Sequence, residues 1–134
     1  MPMYMCNAAK GTISDDVKPK IAADITRIHC EVTGAPAEFV HAFFLEDEAN
    51  PPLSGKSAML FGSIRAGRTD EQKARIISEM CRSVEHHTGV ALDDIAMATT
   101  DVPASWVLEG GAIMPEPGEE AEWMAKHHAA PAAE

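Results

Sequence analysis

Basic residues are scarce in this chain of 134 residues. Eleven Lys and Arg stand against 21 Asp and Glu, a formal charge of −10. A general nucleic-acid binder needs a basic face that releases counterions, and this balance argues against that class. A small anion held in a local positive pocket is still allowed. Aromatic residues are few: four Phe, two Trp and one Tyr. Cys6, Cys30 and Cys81 are odd in number and form no Cys-x-x-Cys. No disulfide framework is expected, and the cytosol is the default compartment. No apolar run approaches the roughly 20 residues of a membrane span, so no membrane partner is expected. The start, Met1-Pro-Met-Tyr-Met-Cys6, lacks the basic stretch of a secretion signal. His86-His87 and His127-His128 are adjacent pairs without the spacing of a metal helix, so no metal site is read.

What is present is enough for one domain. The apolar fraction is 46%, although 22 of the residues are Ala. A chain of this length buries roughly two-thirds of its unfolded surface.

A shift of 55 residues lays the chain on itself. Ser14 falls on Thr69, Ile21 on Ile76, and Thr33-Gly34 on Thr88-Gly89. Each copy reads as an apolar run, a capped turn, an amphipathic helix, a Thr-Gly stop and a second apolar run. The first helix is expected from about Ser14, where Ser14 caps and Asp15 and Asp16 suit the dipole. Pro19 is tolerable only near the first turn and argues for a slightly later start. Val17, Ile21, Ile25, Ile28 and Val32 share one face. The second helix opens on Thr69-Asp-Glu-Gln72, a capping box, and buries Ile76, Ile77, Met80 and Val84. Strands are expected at about 3–8, 39–45, 58–65 and 94–99.

The order β-α-β-β-α-β predicts an α/β fold: a fused double β-α-β whose four-stranded sheet carries two helices on one face. Pseudo-repeats span about 2–50 and 57–105 of a single domain covering 1–134. A C-terminal segment follows at 103–125, and a frayed tail at 126–134. Two helices cannot cover two sheet faces, so the apolar strands call for a second subunit on the bare side. Pro103 and Gly110-Gly111 suggest one short helix between them, ending on Glu109.

Five residues attract chemical attention. Pro2 follows Met1, and trimming Met1 would leave a secondary amine titrating near ~8, within reach of neutral pH. Arg65-Ala-Gly-Arg68 places two guanidinium groups beside a helix N-terminus, a geometry for a carboxylate or phosphate; two solvated loop arginines are the ordinary alternative. His29 lies at the edge of the apolar helix face, where a satisfied border residue is the commoner outcome. Glu109 at a helix C-terminus would oppose the dipole. Trp106 and Trp123 read as packing.

Together these residues resemble one family. Pro2-Met3-Tyr4-Met5, Ile25-Thr26 with His29, Val32-Thr33-Gly34, the Arg65-x-Gly-Arg68 loop, Pro103-Ala104, Glu109 and Pro115-x-Pro-Gly-x-Glu-x-Glu-Trp123 resemble the tautomerase superfamily. Within it they resemble the cis-3-chloroacrylic acid dehalogenase group. The resemblance runs from Pro2 to about Trp123. It implies a homotrimer, no cofactor, and a small unsaturated or 2-oxo carboxylate as substrate. Pro2 would transfer the proton, His29, Arg65 and Arg68 would bind and polarise the carboxylate, and Glu109 would activate water. The group's tyrosine partner of that Glu is replaced here by Ala98, which favours tautomerase or hydratase chemistry over efficient dehalogenation. The alternative is a non-catalytic trimeric binding protein on the same scaffold.

Overall fold

The computed structural model describes residues 1–46 and 55–128. Strands β1 (Met3–Ala8), β2 (His41–Leu45), β3 (Ala58–Arg65) and β4 (Ile95–Val102) form one sheet in the order β2-β1-β3-β4. The outer pairs are parallel and the central β1–β3 pair is antiparallel. Helix α1 (Lys18–Thr33) links β1 to β2, and α2 (Asp70–Thr88) links β3 to β4. The two β-α-β units therefore meet at their first strands.

Alternation along the strands sets the two faces. Tyr4, Cys6, Leu60 and Ile64 point into a dry core with Ile21, Ile25, Ile28, Ile76, Met80 and Val84 from the helices. Each fully buried side chain of this size contributes about 1.5–3 kcal/mol. The opposite set leaves rows of side chains without a helix above them. Phe43, Met5, Phe61 and Ala98 form one row across the four strands, and His41, Met3, Ser63 and Thr100 the next. Met3 and Phe43 are more than two-fifths exposed. The strands are covered on one face within the chain, not on both.

Both helices stop in the same way. Gly34 and Gly89 adopt left-handed backbone at φ 78° and 79°, and their N–H groups close on the carbonyls of Cys30 and Glu85. Their starts differ. Thr69 makes the complete capping box with Gln72, at 3.1 Å and 2.8 Å. Helix α1 begins at Lys18, later than Ser14, with Val17 at the cap position and no side-chain cap. The reason is Pro19. It has no N–H and fits only the first turn of the helix, so Ser14 to Val17 form a separate turn.

The segment after β4 is not one short helix. A 3-10 turn at Ala104–Trp106 leads into a small hairpin, β5 (Leu108–Glu109) with β6 (Ala112–Ile113), turning on Gly110-Gly111. A third helix, α3 (Glu120–His128), then continues past Lys126, where the sequence alone suggests fraying. Residues 129–134 of that tail lie outside the described residues. Trp123 of α3 packs edge-on against Phe39, with ring centres 5.6 Å apart, and its Nε1 donates to the Ile113 carbonyl. Trp106, in contrast, is 78% exposed. Phe39, Ala104 and Met114 form a second small core beneath this C-terminal strap.

Candidate active site

The amino terminus sits at one end of the sheet, and the candidate residues gather round it in two groups. The first group centres on Glu109. It lies on β5 of the hairpin, not at a helix end, so no dipole opposes it. Its Oε2 accepts from the Met1 ammonium at 2.7 Å, and its Oε1 pairs with His41 Nε2 at 2.9 Å. Partial burial pushes the Glu109 carboxyl up, but these two partners outweigh it and hold the group below the usual range. The ammonium also donates to the Phe39 carbonyl at 2.9 Å. A cleft of about 390 Å³ opens beside it, lined by Met1, Met3, His41, Phe43, Leu108 and Glu109. A smaller hollow of about 190 Å³ reaches Glu109 from the side of Phe39 and Trp123.

The second group is cationic and buried. Arg65 ends β3 and is 1% exposed. It donates to the Pro115 carbonyl at 2.5 Å and to Glu120 Oε2 at 2.6 Å, and its guanidinium lies 5.5 Å from the Phe39 ring centre. Arg68 reaches the Thr33 carbonyl at 3.4 Å and lies 3.8 Å from the same Glu120 oxygen. Neither is a solvated loop arginine. Burial and the neighbouring Arg65 push the Arg68 pKa down, yet a guanidinium stays charged at any ordinary pH. Glu120 is desolvated, but Arg65 and nearby backbone N–H groups keep its carboxyl low. The loop between the arginines packs closely on the strap: a Cβ on Gly67 would lie 3.3 Å from Pro117.

His29 completes this group. It is 1% exposed, deeper than the border position its spacing suggests. Its Nδ1 meets the Tyr4 hydroxyl at 2.7 Å. Burial, with the charges of Arg68, Arg65 and the amino terminus, pushes its pKa down to about 3, so the ring is neutral at pH 7. Phe39 lies between the two groups: its carbonyl accepts from the amino terminus and its ring faces the Arg65 guanidinium.

Ala98 is remote within the chain. On β4 it pairs with Phe61 of β3 and lies three strands from β2, where His41 meets Glu109, about 14 Å at the usual strand spacing.

The full-length pattern matches one family model, described as "Putative oxalocrotonate tautomerase enzyme", over residues 1–128. The chain belongs to this tautomerase family. Among solved structures, it is 25% identical to N1, a member of the cis-3-chloroacrylic acid dehalogenase family. That match covers 92% of this chain and 90% of N1, with a TM-score of 0.83. It is 34% identical to native Ps01740 over 80% of this chain and 99% of that one, with a TM-score of 0.73. A fused 4-OT protein, F6, solved as an asymmetric trimer, shares the fold at 22% identity, covering 83% and 94% of the two chains with a TM-score of 0.72. Curated proteins give no match.

Four residues of the candidate site were not singled out by sequence for a chemical role. Glu120 neutralises the arginine pair, and its signal was present as an acidic first-turn residue inside the Pro-x-Pro-Gly-x-Glu motif. Phe39 gave no signal, because it reads as a strand residue yet belongs to a 3-10 turn, Ala37–Phe39. His41 at the start of β2 and Tyr4 in β1 could be placed only once the strands were paired.

Proposed function

We propose that this tautomerase-family chain, with Met1 removed, uses the Pro2 amine to transfer a proton on a small unsaturated or 2-oxo carboxylate. Tautomerisation or hydration is the favoured reaction. The observation that carries the reading is the buried amino terminus, held by the Glu109 carboxylate and the Phe39 carbonyl, with the buried Arg65 guanidinium over the Phe39 ring. While Met1 is present, the Pro2 nitrogen is an amide and cannot carry a proton. Without Met1, the terminus retreats by one residue, about 3.8 Å along the chain. It becomes a secondary amine between a carboxylate that favours its protonated form and cations that oppose it.

The roles divide by charge. Arg65, Arg68 and His29 bind the substrate carboxylate and stabilise negative charge that develops on it. Glu109 takes a proton from the attacking water in a hydration, or balances Pro2 in a tautomerisation. A homotrimer would account for the open sheet face, and the fused 4-OT protein F6 was solved as a trimer. The absence of a tyrosine at Ala98 supports tautomerase or hydratase chemistry over dehalogenation.

The test is an intact mass before and after exposure to 2-oxo-3-pentynoate, an electrophilic acetylenic 2-oxo acid. A mass lacking Met1 with one adduct on Pro2 is expected. Pro2→Ala should then lose at least tenfold in kcat/KM, about 1.4 kcal/mol of transition-state stabilisation. Retained Met1 with no adduct would turn the reading to a trimeric binding protein. The buried arginines already speak against a purely structural oligomer, which would leave them in solvent.

A further inference from the structure

Tyr4 is the one tyrosine of the chain, and the sheet makes a seat for its ring. Across the antiparallel ladder it pairs with Gly62 of β3. A Cβ on Gly62 would stand 2.6 Å from Tyr4 Cε1 and 2.9 Å from Cδ1, closer than any real contact. Glycine inside a strand weakens it, and Gly62 is not among the glycines with left-handed backbone. Its purpose is space. The seated ring brings its hydroxyl to 2.7 Å from His29 Nδ1, with both residues 1% exposed.

The hydrogen-bond accounting then settles the direction. A neutral imidazole has one donor and one acceptor nitrogen. If the hydroxyl accepted from Nδ1–H, its own proton would be buried with no other acceptor among the described residues. Donation to Nδ1 removes that cost and places the ring proton on Nε2. Nε2 is itself buried, and no described residue partners it. Arg68 reaches the Thr33 carbonyl at 3.4 Å, one turn of α1 beyond His29, and Thr33 bonds back to the His29 carbonyl; the charges of Arg68 and Arg65 act on the ring.

We propose that Tyr4 is a positioning residue that holds His29 as the Nε2–H tautomer, making that N–H the third donor to a carboxylate bound by Arg65 and Arg68. The inference rests on the carboxylate site proposed above. The opposite tautomer would turn a lone pair toward the anion and repel it. The tyrosine hydroxyl thus decides whether His29 attracts or rejects the ligand. The bound carboxylate in turn gives Nε2 the partner it lacks in the free chain.

The test is nitrogen NMR of the full-length protein labelled at histidine, with pyruvate as the carboxylate probe. In the wild type, Nδ1 of His29 should resonate as an unprotonated nitrogen and Nε2 as a protonated one, and pyruvate should shift Nε2. Tyr4→Phe keeps the ring in its Gly62 seat, so the fold should persist. In that variant His29 should shift toward Nδ1–H and lose the pyruvate response. A wild-type ring protonated at Nδ1 overturns the proposal, and that reading needs no variant. A Tyr4→Phe protein with the wild-type tautomer and response also overturns it. A wild type with the Nε2–H tautomer but no pyruvate shift removes the donor role. Pro2 reactivity is not read at any step, so an idle Pro2 fails the functional proposal without touching this one.

Discussion

Moved along the chain by 55 residues, helix α1 lands on helix α2, and the two halves agree in the core before they part at the site. Ile21 and Ile76 are both fully buried, as are Ile25 and Met80. Thr33 and Thr88 each bond back to a carbonyl four residues earlier and accept from the N–H two residues later. The 3-10 turns at Ala37–Phe39 and Leu92–Asp94 also coincide under the shift. The halves differ where His29 falls on Val84. Both positions are buried, at 1% and 0%, but one needs a hydrogen-bond partner and the other only contact. At this position the one scaffold is used in two ways, once to hold an imidazole and once to fill a core.

The largest expected test of that contrast is acid stability. Folded His29 stays neutral down to about pH 3, while the unfolded chain takes up the proton near 6.5. The unfolded state therefore binds more protons between those values, and stability falls as pH drops through that window. The loss approaches ~1.4 kcal/mol per pH unit from this one group. His29→Val, which copies the second half, should flatten that part of the slope in denaturant titrations from pH 7 to 4. An unchanged slope would show that other groups carry the acid sensitivity. The reverse exchange, Val84→His, should cost about 2 kcal/mol in urea, because a buried imidazole there has no Tyr4 to meet it. A neutral outcome would mean that this core position can also host a polar group. Next, Thr69→Ala should cost about 1 kcal/mol by removing the capping box. Ser14→Ala, its counterpart under the shift, should stay within about 0.5 kcal/mol. An equal loss at both positions would restore the symmetry of the two helix starts.

The repeat, both Gly stops, the Thr69 box and four strands could be read directly, because each is a local signal within a few residues. The start of α1 was misplaced because Ser14 and Pro19 gave competing local signals, and proline prevailed. The region 103–111 misled for a related reason. Pro103 and Gly110-Gly111 punctuate a chain equally well around a helix or before a tight hairpin. Within the candidate site, Arg65, Arg68, His29 and Glu109 were nominated by residue type together with the family resemblance. Their partners were not, since Phe39, His41 and Glu120 reach them only through tertiary packing. Glu120 lies 55 residues from Arg65 and Glu109 lies 68 from His41, far beyond the reach of helix or strand spacing.

The buried terminus also bears on how the protein is made and handled. Its nitrogen is not a loose end but a donor enclosed by Glu109 and the Phe39 carbonyl. Anything joined to it, whether an acetyl group, an affinity tag or a few vector-encoded residues, removes that charge and must find room in a closed place. Such fusions belong at the other end of the chain, and a protein purified with a leader attached would be a different electrostatic object from one with a free amino terminus.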